Sequence, residues 1–189
     1  MLYEIEFEIR DKNGNIIEST QGEIGKKLYG KEGPLLVIPE HLKVPALREF
    51  VERAKEGEEM EEEVPPEKAY QHRDRRLVKK VSTAIIEHGD RLAPGMYVAF
   101  GDVVGKVIAV SPGRATIDFN HPYAGKPVIV KAKLLKVYKD PKEIVERIIS
   151  HYGLDVKAEW EDNKLKLEGE DKEKLKEYLM LYKVNVDVE

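Results

Sequence analysis

The sequence contains no cysteine, so neither a disulfide framework nor a thiolate metal site is open to it. It also lacks any apolar run near the roughly 18 residues that a membrane span needs. Its first residues, Met-Leu-Tyr-Glu-Ile-Glu-Phe-Glu, read as a strand rather than a secretion signal. Charge of one sign is not in excess: 32 Lys and Arg face 36 Asp and Glu, a formal net charge of -4. That balance gives a charged surface with no general attraction to nucleic acid or anionic lipid. The expectation is a cytoplasmic monomer with neither nucleic acid nor membrane as partner. Abundant Lys, Glu and Arg with little Gln also fits a thermophile's composition.

What is present is enough for cores: 41% of the 189 residues are hydrophobic, room for one large or two to three small domains. Tyr3, Ile5, Phe7 and Ile9 alternate with charged residues, the period of a half-buried strand. Asn13-Gly14 supplies a positive-φ turn, and Ile16 and Ile17 begin a returning strand. Gly22, Gly25, Gly30 and Gly33 are read as punctuating a loop up to Pro34; no phosphate-loop pattern accompanies them. After Leu35 to Ile38, Pro45 opens a short amphipathic helix with Leu47, Phe50, Val51 and Ala54 on one face, stopped by Gly57. Such a helix suits the apolar face of an antiparallel sheet. The acidic run to Val64 is read as a solvated strand, because the pattern of a Ca²⁺-binding loop is missing.

From Arg73 to Lys126 the texture becomes that of a small all-β module. Short apolar runs are separated by Pro94-Gly95, Gly101-Asp102 and Pro112-Gly113, suited to tight turns. The His-Arg-Asp triplet at its entrance stands without any other kinase motif. The basic run from Arg73 to Lys80 has no interleaved aromatics of the kind that stack on nucleic acid. The five histidines are scattered, so no metal site and no cofactor are expected, and His121 is read as a hydrogen-bonding residue of a polar corner. Past Val137, Asp140-Pro141-Lys142-Glu143 starts a helix, followed by a hairpin turning at Asp162-Asn163, a second helix from about Asp171 to Tyr182 and a closing strand. Lone Trp160 is read as core.

Two stretches carry more than local structure. Asp-Phe-Asn-His-Pro-Tyr-Ala-Gly-Lys (Asp118 to Lys126) is a polar corner between strand-like runs, and Val-Pro-Pro-Glu-Lys-Ala-Tyr (Val64 to Tyr70) lies upstream. Together, in this order and spacing, they resemble the FKBP-type peptidyl-prolyl isomerases of the SlyD-like and archaeal long-chain kind. There the two motifs flank a chaperone module inserted in the isomerase domain. The resemblance implies an α+β fold: an FKBP-like antiparallel sheet with one short covering helix, an inserted small all-β (insert-in-flap) module and a C-terminal α+β domain. It implies residues 1–72 with 127–140 as isomerase domain, 73–126 as polypeptide-binding module, and 141–189 as a domain whose role it does not supply.

The activity implied is cis–trans isomerisation of X–Pro bonds in unfolded, nascent or proline-containing polypeptides, with a non-catalytic holdase as the alternative. Carried over residue by residue, Phe7 falls on a pocket aromatic, Tyr70 on the substrate-binding tyrosine, and Val44 on the aliphatic residue whose backbone N–H holds substrate. Glu18 stands where the family has an aspartate, one methylene shorter. Ile17, Val37, Leu47 and Val130 replace aromatic or larger residues, which implies a roomier, less aromatic pocket. The family's Ala-Tyr-Gly is Ala-Tyr-Gln here, so Gln71 must accept or change a backbone conformation that glycine takes freely. In the module, Ile85, Ile86, Leu92, Met96, Tyr97 and Phe100 are the apolar candidates for binding unfolded chain, some being needed for its core.

Overall fold

The alternation at the start of the chain forms β1 (Leu2–Arg10). The Asn13-Gly14 turn, with Gly14 at φ 85, returns it as β2 (Ile16–Ser19). The computed structural model, which describes residues 1–188, then departs from the expected loop. Gly22–Tyr29 is a helix, α1, ended by Gly30 in the left-handed conformation. Its internal glycine is there for packing. A Cβ on Gly25 would lie 2.4 Å from the Thr20 carbonyl oxygen, so only glycine lets the helix sit against the end of β2. The sheet therefore carries α1 in addition to the single covering helix anticipated.

β3 (Leu35–Val37) follows, then α2 (Pro45–Arg53) with Pro45 in its first turn and Ala46, Leu47, Phe50 and Val51 buried. β4 (Glu59–Val64) is the acidic run. The next strands are β5 (Val78–Ser82), β6 (Tyr97–Phe100), β7 (Val103–Ser111) and β8 (Arg114–Asp118). β9 (Val128–Tyr138) precedes α3 (Pro141–Tyr152), where Asp140 accepts hydrogen bonds from the Lys142 and Glu143 N–H groups. The chain closes with β10 (Lys157–Glu161), β11 (Lys164–Glu168), α4 (Lys172–Leu181) and β12 (Asp187–Val188).

These elements fall into two units, one made of Met1–Val64 and the chain from Val128 onward, the other of Pro65–Pro127. In the first, a five-stranded antiparallel sheet runs β2-β1-β9-β4, with β3 pairing the same edge of β1 as β2. Val64 lies opposite Val128 in the β4–β9 register, so the second unit leaves and returns at paired positions of one ladder. Ile5, Ile9, Val130 and Leu134 are fully buried in this sheet, and α2 lies against β9.

Leu2, Leu36, Ile38 and Tyr138 form one core with Ile144, Val145 and Ile148 of α3, Leu165 of β11, and Leu175, Leu179 and Tyr182. The elements of 141–188 thus share a core with the sheet, and Trp160 packs at its edge, half-buried, beneath the Lys142 ammonium at 5.7 Å. Burying a side chain such as Ile148 is worth about 1.5–3 kcal/mol. An ion-pair network adds to this: buried Glu4 accepts from Arg147 at 2.5 and 3.1 Å and from the Tyr138 hydroxyl at 2.7 Å.

In the second unit a four-stranded antiparallel sheet runs β5-β8-β7-β6. Its core is Ile86, Val98, Val107, Ala115 and Ile117, with Val81, Leu92, Phe100 and Phe119 against it. Gly105 lets Ile117 and Phe119 close over the strand, since a Cβ there would meet both side chains within 2.8 Å. Among the described residues no helix is long and apolar enough to cross a membrane.

Candidate functional site

Seven of the residues singled out as pocket residues lie in the first unit. Phe7 stands on β1, Ile17 and Glu18 on β2, Val37 on β3, Val44 caps the start of α2, Leu47 lies within α2 and Val130 on β9. Phe7, Val37, Val44, Leu47 and Val130 are buried, whereas Ile17 and Glu18 are half-exposed. The strand pairing explains part of the grouping. Ile9 lies opposite Val130 and Phe7 opposite Ala132, so Phe7 and Val130 project from the same face of neighbouring strands.

The structure adds two residues there that the sequence reading passed over. Thr20, wholly buried, is bonded to the Phe7 backbone on both sides: its Oγ1 accepts the Phe7 N–H at 3.2 Å, and its own N–H donates to the Phe7 carbonyl at 3.0 Å. Tyr29, at the end of α1, meets the Phe7 ring edge-on at 6.1 Å and donates its hydroxyl to the Glu18 carboxylate at 3.2 Å. Burial first, then the negative charge and hydrogen bond of Glu18, holds the Tyr29 hydroxyl well above the ordinary phenol range. The helical spacing of Ile24 and Leu28 was the available signal for this helix, and Gly25 obscured it. A cavity of about 390 Å³ opens beside Phe7 and Ala132, lined also by Gln21 and by the charged Glu6, Glu8, Glu59, Lys131 and Lys133. Lys133 is paired with Glu59 across strands at 2.6 Å, so Phe7 and Ala132 are the apolar part of a mostly charged lining.

Tyr70 belongs to the second unit, where the two sequence motifs come together. Its ring stacks flat on His121, with centroids 4.0 Å apart and planes 7° from parallel. Tyr123 stands 6.2 Å from both rings. The corner is built from backbone bonds. Asn120 accepts the Asp74 N–H at 2.8 Å and donates Nδ2 to the Asp74 carbonyl at 3.0 Å. Asp118 accepts from the Asn120 N–H and Nδ2 and from Arg73. Burial acts to raise the Asp118 carboxyl, but the two Asn120 bonds and the Arg73 charge outweigh it and bring it below the usual carboxylate range. His121 is a hydrogen-bonding residue as anticipated, its Nδ1 accepting the Tyr123 N–H at 3.2 Å.

Gln71 does accept the conformation expected of glycine, at φ 65. The module candidates divide. Ile86 is buried and Leu92 and Phe100 pack partly against the core, whereas Ile85, Met96 and Tyr97 are 69, 45 and 59% exposed. Val103, Val104 and Ile108, not singled out before, are exposed as well.

The family model described as "FKBP26, IF domain" matches residues 89–123, within the second unit. The short-type peptidyl-prolyl cis-trans isomerase of Methanocaldococcus jannaschii is 29% identical over 136 residues, which cover 68% of this chain and 87% of that protein. The chain is thus similar to FKBP-type peptidyl-prolyl isomerases over about two thirds of its length. A probable FKBP-type 16 kDa peptidyl-prolyl cis-trans isomerase of Pseudomonas fluorescens is 26% identical over 138 residues, covering 70% of this chain and 86% of that protein. Among the described residues the Phe7, Glu18 and Tyr29 group and the Tyr70, His121 and Tyr123 group are two side-chain constellations with chemistry to offer. Neither contains a nucleophile poised beside a base, and prolyl isomerisation requires none. The planar amide must twist over a barrier of about 18–20 kcal/mol, and apolar walls with one or two oriented polar groups are suited to that.

Proposed function

We propose that the protein is a peptidyl-prolyl cis-trans isomerase of the SlyD-like, long-chain kind, acting on unfolded or partly folded polypeptides in the cytoplasm. The observation that carries the reading is the match to the Methanocaldococcus isomerase over 87% of that protein's length. A twisted amide has lost resonance and much of its charge separation, so an apolar setting favours it over the planar ground state. Each ~1.4 kcal/mol of that preference is a tenfold gain in rate. Phe7, Val37, Leu47 and Val130 supply the apolar walls in this reading, with Ile17 at the rim. The Val44 N–H holds a substrate carbonyl and Glu18 faces the polarised amide; Tyr70 of the second unit is the substrate-binding tyrosine that the Ala-Tyr motif implies. Without enzyme the exchange takes roughly 10–100 s at room temperature. The test is the exchange rate of a short X–Pro peptide measured by NMR. No acceleration by the full chain sinks the isomerase reading.

Residues 73–126 act in this proposal as an insert-in-flap module that holds client chain. Its support is the exposure of six large apolar residues of this unit, Ile85, Met96, Tyr97, Val103, Val104 and Ile108. A tethered holding surface raises the local client concentration to about millimolar for a short linker. Replacing Ile85, Met96 and Tyr97 together by Ser is expected to weaken suppression of client aggregation. Undiminished suppression refutes the holding role. Should peptide exchange be uncatalysed while aggregation is still suppressed, the chain is a holdase on an FKBP-type scaffold.

A further inference from the structure

We infer that His121 is a positioning residue for Tyr70 in the isomerase reaction proposed above, on which reading this inference rests. Tyr70 is half-buried, and a tyrosine so placed keeps rotational freedom about its side-chain bonds unless a neighbour removes it. His121 removes it by lying flat on the ring, 4.0 Å away and 7° from parallel. The imidazole is itself immobilised. Its Nδ1 accepts the Tyr123 N–H at 3.2 Å, and its carbonyl accepts the Ala124 N–H at 2.9 Å. The corner that bears it is locked to the strand entrance by the exchange between Asn120 and Asp74. An Nδ1 that accepts a hydrogen bond places the proton of the neutral ring on Nε2.

The Tyr70 backbone is held from the other side. The Gln71 N–H donates to the Pro66 carbonyl and its own carbonyl accepts from the Gly125 N–H, both at 2.7 Å. Main chain and ring plane are thus both held, which presents the Tyr70 ring in one orientation. A carbonyl oxygen swinging out of the amide plane is stabilised only by a donor already aimed at it, because reorienting the donor during the twist would use up the gain. His121 reaches no substrate in this scheme and acts through the ring it supports. The Asn-His-Pro stretch, read in the sequence as a polar corner, thereby acquires a role in the reaction.

The test compares His121→Ala with His121→Phe in the full chain. His121 is exposed, so both variants should fold, which circular dichroism checks. Aromatic pairing of this kind sets an expected loss of about 3- to 10-fold in kcat/KM for a short X–Pro peptide in the alanine variant. The phenylalanine variant, which restores a flat face, should recover most of it. Ring-proton shifts of Tyr70 should move in His121→Ala and return toward wild type in His121→Phe. Full activity in His121→Ala, or equal impairment of both variants, overturns the inference. A wild-type chain that catalyses no exchange sinks the isomerase reading instead. The support of the Tyr70 ring is then judged on its ring-proton shifts, and shifts unmoved in His121→Ala refute it.

Discussion

The Gly125 N–H donates to the Gln71 carbonyl at 2.7 Å, joining the residue after the Ala-Tyr motif to the end of the Asp118–Lys126 corner. Both partners sit at positive φ, 65 at Gln71 and 78 at Gly125. The second unit is thus closed on itself by a contact between two left-handed residues, only one of which is glycine.

A non-glycine residue in that region costs about 1–2 kcal/mol, part of which glycine returns through its freer unfolded chain. Gln71→Gly should therefore leave stability unchanged or raise it by up to about 1 kcal/mol. Gln71→Val, branched at Cβ, should lower it by about 1–2 kcal/mol. Gly125→Ala should also destabilise, because of its backbone strain; the added Cβ would be in ordinary contact with Arg73 at 3.5 Å. Denaturant titration, with hydrogen exchange at the Gly125 amide, measures all three.

Tyr29→Phe removes a hydroxyl from the Glu18 carboxylate while keeping the ring against Phe7. A half-buried bond to a charged acceptor sets an expected loss of about 1–2 kcal/mol. Proteolysis of α1 should quicken in that variant, since the bond holds the helix end. Glu18→Gln should bring the Tyr29 hydroxyl back toward, but not down to, the ordinary phenol range, because burial remains after the charge is gone. NMR titration of Tyr29 reads the direction, and an unmoved hydroxyl contradicts the pairing.

His151 is depressed to about 4 by burial and then by the Lys31 and Arg147 charges. Its unfolded form takes up a proton near pH 6.5. Stability should be at its full value above that pH and fall as pH drops from 6.5 to about 4, where the folded form finally protonates. Discounted for the screening of a half-buried group, the loss is about 1–2 kcal/mol. Below that window Glu4 takes over. Burial pushes its carboxyl up, but the Arg147 and Tyr138 bonds bring it lower than usual, so its contribution is lost only in stronger acid. His151→Phe should flatten the dependence between pH 6.5 and 4 and leave the acid limb, read by unfolding free energy against pH.

Val64 and Val128 face each other in register, so β4 and β9 can be joined without the second unit. Replacing Pro65–Pro127 by Asn-Gly should give a two-residue hairpin and a first unit that unfolds cooperatively. Suppression of client aggregation should disappear from this variant. A deletion protein without dispersed NMR signals would show that the first unit depends on the excised one.

Local pattern carried much of this protein. The two-residue period from Tyr3 to Ile9, the Asn13-Gly14 turn, the Pro45 and Asp140 helix starts and the turn dipeptides between β6, β7 and β8 act through neighbouring residues, and each appears in the structure as read. The demand on Gln71 was legible too, because backbone conformation is a local property. What the tertiary structure decided depends on residues far apart in sequence. Gly25 looked like a loop residue because its reason for being glycine, the Thr20 carbonyl, lies across a helix–strand contact. Tyr29 gains its place only when α1 brings it to Phe7 and Glu18. The grouping of Leu2 with Ile148 required the sheet to bury its second face against α3, a pairing that no periodicity encodes. His121 was legible only as a hydrogen-bonding residue of a polar corner; its stacking on Tyr70, 51 positions away in the sequence, is decided by the tertiary structure.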